Sequence, residues 1–202
     1  MNATSAVLGC CVATLFTNTL FGQSCFELNN RHTPVVNAPV FDGQGVPLQG
    51  ANFLVELWGG STSNSLTPLL LIDQGYVRSI RPFRTDLPGY FPGRGVGGAL
   101  CVVDVPPDGF AWLQVRAWQA SLGLTYEAVS ALGLGGYGAS PLFFAQGSDP
   151  FREPPVTPGS LIGLQSFSLL PVVPEPGTGV LVLLGFGCLA ARRWFNRRAH
   201  SP

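Results

Sequence analysis

The chain has 202 residues with 11 basic and 11 acidic side chains, and every basic residue is arginine. Setting aside Glu175 and the four arginines near the C-terminus leaves 7 Arg against 10 Asp and Glu in residues 25 to 170, a body of net charge −3. That balance excludes the basic stripe on which nucleic-acid binding depends. Gly 26 and Pro 18 point away from a helical protein and towards many turns, and a body of about 146 residues is enough for one hydrophobic core.

Residues 6 to 21 are mildly apolar and end at Leu20-Phe21-Gly22-Gln23-Ser24. Small residues at 22 and 24 suit a secretory signal peptide cut after Gly22 or Ser24, so residues 1–24 read as a leader. The first basic residue is Arg31, so the segment before the apolar stretch carries only the terminal amine. Cys25 is no lipidation site, because Gly22 occupies the position three before it where an aliphatic residue is needed. Cys10 and Cys11 would leave with the leader, and Cys188 lies in a C-terminal apolar run. Cys25 and Cys101 remain in an oxidising compartment, as a disulfide or as two buried thiols.

Residues 25–170 read as an all-β body in which short strand-like runs alternate with turn signals. Asp42-Gly43 between Val40-Phe41 and Val46 predicts a hairpin turn. Asn52 to Trp58 sets Phe53, Val55 and Leu57 on one face and Glu56 on the other, and Gly59-Gly60 ends the run. Phe110 to Trp118 alternates as well: Leu113 and Val115 share one face, while Trp112, Gln114, Arg116 and Trp118 share the opposite one. Leu100 to Val105, Leu142 to Ala145 and Leu161 to Leu170 are further strand candidates. Thr125 caps one short helix over Tyr126 to Leu132, with Val129 and Leu132 three apart, and Gly133 ends it. The whole predicts a β-sandwich of seven to nine strands, Ig-like or jelly-roll-like. Pro150 to Pro158 reads as a stiff connector to the last strand.

Residues 171–202 form a tail of different character. Val173-Pro174-Glu175-Pro176 is followed by the uncharged run Gly177 to Ala191, then by Arg192, Arg193, Trp194, Phe195, Arg197 and Arg198. As a helix the run would span roughly 22 Å, short of a bilayer core of about 30 Å, and the interfacial Trp194 and Phe195 with snorkelling arginines extend it. A transmembrane helix is expected here, since positions 179 to 191 offer no polar face for docking on a soluble domain. Arg192, Arg193, Arg197 and Arg198 would stay cytoplasmic and leave the body outside, tethered to the inner membrane.

The motif, apolar run and arginine cluster together resemble the PEP-CTERM sorting domain of exopolysaccharide-producing Gram-negative bacteria. That resemblance implies recognition of Pro174, Glu175 and Pro176 by an exosortase, a membrane peptidase that processes the chain near the motif. It also implies delivery to the cell surface or extracellular matrix. The body is similar to small exported bacterial proteins that share this tail and pair an Asn37-Ala38-Pro39-Val40-Phe41-Asp42 run with a Gln114-Val115-Arg116-Ala117-Trp118 strand. No chemistry follows from that second likeness.

Catalytic patterns are missing parts. Gly93 to Gly98 and Gly133 to Gly138 both match G-x-G-x-x-G, yet each leads into a strand-like segment and not into the helix that phosphate binding requires. The mature body holds one histidine, His32, and no G-x-S-x-G elbow; Cys101 sits in an apolar run unsuited to a reactive thiol. Asp42, Asp104 and Asp108 lack calcium-loop spacing. The expectation is a non-enzymatic exported protein without metal or cofactor, partnered by an exosortase-type peptidase and the inner membrane. The alternative is a carbohydrate-binding or adhesive module that stacks extracellular polysaccharide on Trp112, Arg116 and Trp118.

Overall fold

The protein is described by a computed structural model over residues 23–93 and 98–173. Residues 1–22 of the expected leader and the expected transmembrane helix, with Pro174 to Pro176 and the four tail arginines, lie outside the described residues.

The fold is all-β with one short helix. Among the described residues there are fourteen short strands, more than the seven to nine expected, because many are two-residue ladders set between turns. The first nine are β1 (Ser24–Phe26), β2 (Arg31–His32), β3 (Val36–Asn37), β4 (Val40–Phe41), β5 (Phe53–Gly60), β6 (Thr67–Pro68), β7 (Leu70–Leu71), β8 (Val77–Arg78) and β9 (Arg81–Pro82). They are followed by β10 (Leu100–Val102), β11 (Phe110–Gln119), helix α1 (Tyr126–Leu132), β12 (Tyr137–Ala139), β13 (Phe143–Gln146) and β14 (Phe167–Ser168).

Beside two two-stranded sheets, parallel β14-β4 and antiparallel β2-β3, two larger ones make most of the body. The smaller runs β1-β10-β7-β8, all antiparallel. The larger runs β12-β11-β5-β6, with β13 beside the first half of β11 and β9 beside the start of β5. Val55, Leu57, Leu113 and Val115 of the larger sheet share one hydrophobic cluster with Phe26, Leu71, Leu100 and Val102 of the smaller. Period-2 alternation puts those side chains inward, and Ala111, Leu113, Val115 and Ala117 are all fully buried. Gly59 of β5 leaves no room for a side chain: a Cβ would stand 2.9 Å from Leu113 of the same sheet and 3.1 Å from Leu69 and from Val102 of the smaller sheet. Burial of this cluster is the main stabilising term, at roughly 25 cal/mol per Å² of apolar surface.

Local chemistry explains most element ends. Thr125 Oγ1 accepts from the Ala128 N–H at 3.3 Å and Gly133 adopts φ 68°, so α1 starts and stops where expected. Val129 is buried, but Leu132 is 50% exposed. The hairpin after β4 closes through Asp42, whose carboxylate accepts the N–H groups of Gln44 and Val46 at 2.9 and 2.8 Å. The left-handed residue there is Gly45, and Gly43 is needed for another reason: a Cβ would reach 2.5 Å from Pro171 Cα. The strand expected over Leu161 to Leu170 shrinks to β14, because Leu161 to Leu164 form a turn with Gly163 at φ 97°. Cys25 and Cys101 stand opposite each other between β1 and β10 and are joined by a disulfide.

Candidate functional site

Phe110, Trp112, Gln114, Arg116 and Trp118 all project from the outer face of β11. Strand register fixes their neighbours: Trp112 faces Gly60, Gln114 faces Trp58, Arg116 faces Glu56 and Trp118 faces Leu54 on β5. On the other side, Phe110 faces Gln146 and Trp112 faces Phe144 of β13. The row that the alternative reading takes as one ligand face therefore divides into two environments.

The far end is covered. Trp118 is fully buried; its Nε1–H donates to Gly123 O at 3.1 Å and its ring meets Tyr126 of α1 edge-on at 6.4 Å. Arg116 lays its guanidinium 3.7 Å over the Trp58 ring and 5.0 Å from the Tyr126 ring, while its Nε–H donates to Gln114 Oε1 at 2.9 Å. Burial lowers the Arg116 pKa from its usual value. Trp118 thus departs from the alternative reading of an open ligand face, being covered by the Gly123 backbone and Tyr126 of α1, while Arg116 is half-buried between the Trp58 and Tyr126 rings.

A carboxylate holds that cover in place. Glu56 is fully buried and accepts from Trp58 Nε1 at 3.0 Å and from Arg78 Nε and Nη2 at 2.6 and 2.5 Å. Arg78 also donates to both oxygens of Glu127 on α1, at 3.1 and 3.2 Å. The hydrogen bonds to Glu56, ahead of the weaker pull of Glu127, raise the Arg78 pKa despite its partial burial. For Glu127, desolvation pushes upward, but the Arg78 hydrogen bond and charge outweigh it and the net shift is downward. A buried acid satisfied by three donors is stable, whereas the same acid stripped of its partner is not. Nothing in the sequence reading singled out Glu56; the signal available was a carboxylate two residues before a tryptophan in a strand otherwise apolar.

The near end is open. Phe110 and Phe144 are 53% and 51% exposed, with rings 5.3 Å apart and nearly parallel. Trp112, half-buried, lies 5.1 Å from Phe144. These three rings form an aromatic row at the edge of the larger sheet, and only Trp112 of the three was anticipated.

His32 Nδ1 lies 3.2 Å from Ser160 Oγ at the surface, and Glu27, its pKa raised by burial, reaches His32 only through space. Cys101 is held in the disulfide. Asp108 pairs with Arg152 at 3.0 Å. Among the described residues no group of three or more His, Cys, Asp or Glu is placed to hold a metal, and no helix is long and apolar enough to cross a membrane.

Residues 169–173 lie beside the covered end. Leu169 N–H donates to Phe41 O, Leu170 N–H to Tyr137 O, and Val173 N–H to Leu134 O at 2.8 Å. A Cβ on Gly135 would overlap the Pro171 carbonyl, and one on Gly138 would stand 2.6 Å from Ser168 O, so these glycines form the bed of the exit segment. Val173, 64% exposed, is the last described residue and the first of the predicted Val-Pro-Glu-Pro motif. Residues 172–198 match the family model of the PEP-CTERM protein-sorting motif. The chain carries a PEP-CTERM sorting motif. Such a motif marks an exported protein that is held by its C-terminus and sorted by an exosortase-type membrane protease. No curated protein and no solved structure matches the chain.

Proposed function

We propose that this PEP-CTERM protein is a non-catalytic surface or matrix component whose body is delivered outside the cell and detached from, or left on, the inner membrane by its tail. The observation that carries the reading is the match of residues 172–198 to the sorting motif, which begins in a segment that the body still holds through the Val173 N–H to Leu134 O bond. The body is read as a two-sheet sandwich, the finer form of the all-β fold, with sheet orders distinct from a simple meander. The proposed body takes in Gln23, Ser24 and residues 171–173 beside the expected 25–170. Ser24 is fully buried, donates from Oγ to Gly109 O at 2.8 Å and pairs with Val102, so a leader cut after Gly22 keeps β1 whole and one after Ser24 does not. At the other end, residues 171–173 belong to the body.

Fractionation of cells making the native chain, Glu175→Ala, or alanines at Arg192, Arg193, Arg197 and Arg198 tests the reading. Native product is expected outside the cytoplasm and shortened, and the variants are expected to accumulate as unprocessed membrane-bound or misoriented chain. Equal processing of all three contradicts the role given to the motif.

A second reading is favoured by the open aromatic row: a carbohydrate-binding or adhesive module in which Phe110, Trp112 and Phe144 replace the expected Trp112, Arg116 and Trp118. Exposed rings at a sheet edge suit stacking on sugar faces. Retention of the body by cell-derived polysaccharide, lost in Trp112→Ala with unchanged circular dichroism, would support it; retention unaffected by Trp112→Ala and Phe144→Ala would remove it.

A further inference from the structure

The two segments that frame the chain exit, 132–137 and 168–173, contain no charged side chain. Leu132, Leu170, Val172 and Val173 are 50%, 52%, 42% and 64% exposed there, four exposed aliphatic side chains on two segments that lie side by side. They are held together by the backbone: Gly136 N–H donates to Leu170 O, Val173 N–H to Leu134 O, and the Val172 side chain lies over Gly136. Asp42, at the rim of this face, has its carboxylate engaged by the Gln44 and Val46 N–H groups. The apolar run of the tail begins at Gly177, four residues beyond Val173. Four residues reach at most about 14 Å.

We infer that this exit face lies against the outer surface of the membrane that holds the tail, with Leu132, Leu170, Val172 and Val173 at the level of the lipid headgroups. The inference rests on the membrane reading of the tail. The occupant follows from distance: a surface tied within about 14 Å of an apolar membrane segment meets the bilayer at a far higher effective concentration than any diffusing partner. The chemistry agrees, since an uncharged apolar face is what partitions into an interface, whereas scattered charges would hold the body off. Pro174 to Pro176 lie between Val173 and Gly177 in the sequence, so a body seated in this way keeps the motif near the bilayer surface where a membrane peptidase works.

Three single-label variants of the full chain in vesicles with brominated phosphatidylcholine and phosphatidylglycerol test this. Cys10 and Cys11 are replaced by serine and the Cys25–Cys101 disulfide is kept. An environment-sensitive fluorophore is placed on native Cys188, or, with Cys188→Ser, on Leu132→Cys or Phe151→Cys. Phe151 is the control, since its neighbour Arg152 pairs with Asp108 beside the start of β11, whereas the exit face adjoins the end of β11 through the Gln119 N–H to Gly136 O bond. Quenching by brominated lipid is expected at 188 and 132, at least threefold stronger at 132 than at 151. A label at 132 as unquenched as that at 151, with 188 quenched, overturns the inference and leaves the anchor standing. An unquenched 188 contradicts the anchor and takes this inference with it. Self-association would shield 132 from water without quenching by lipid bromine, and so also counts against it.

Discussion

The two ends of the outer face of β11 are built from the same pattern and meet opposite fates. Trp118 and Trp112 stand six residues apart on one face, yet the first is fully enclosed and the second borders an open aromatic row. Alternation along the strand decides which face a side chain takes, and what packs above that face decides whether it is free. At the Trp118 end, the Glu56–Arg78–Glu127 chain fastens helix α1 over the sheet; at the Trp112 end the cross-strand neighbours are Gly60 and Phe144, and no helix follows. An aromatic residue in a strand is therefore evidence of a binding surface only once the element above it is known.

The largest expected effect lies at the enclosed end. Trp118→Ala should cost about 3 to 5 kcal/mol in chemical denaturation, the usual penalty for truncating a buried tryptophan. Trp112→Ala should cost far less, and equal losses at the two positions would break the comparison. Next in size, Arg78→Ala leaves Glu56 buried without its charged partner. Because Arg78 is one-third exposed, the loss should fall near the low end of the range for such pairs, about 3 kcal/mol. Near-UV circular dichroism should report loosening of Tyr126 and Trp118 in the same variant.

These contrasts mark how far the sequence carries. The alternation of residues 110–118, the Thr125 cap, the Gly133 stop and the hairpin at Asp42 were all legible, because each is a local rule acting on neighbours in the chain. The division of the aromatic row was not, because it depends on α1 folding back over one half of β11. Glu56 was placed on the correct face of β5, but its burial depends on Arg78, 22 residues away. The two-residue strands and the turn at Leu161 to Leu164 were missed for a related reason: such short ladders exist only where a partner strand is supplied by the rest of the fold. The sorting tail was the most legible part, since motif, apolar run and arginine cluster act as an address read along the chain and need no tertiary partner.

Smaller effects sharpen the same contrast. Phe110→Ala and Phe144→Ala should each change stability by less than about 1 kcal/mol, the scale of an exposed cross-strand pair. If either proves as costly as Trp118→Ala, the open end is structural and its reading as a binding row is wrong. Glu127→Gln should give the smallest change, a few tenths of a kcal/mol as expected of a largely exposed ion pair. Its sign with pH is fixed by the downward shift from the ordinary 4.5. The contribution of Glu127 is complete above that value and is lost as pH falls through the lower folded pKa, so native and Glu127→Gln proteins should converge in stability in acid and differ at neutral pH.

The most direct test of the account is the intact mass of the product recovered outside the cytoplasm. A chain beginning at Gln23, retaining residues through Val173 and lacking the arginine cluster is the predicted result. A full-length chain recovered from the cytoplasm would contradict it.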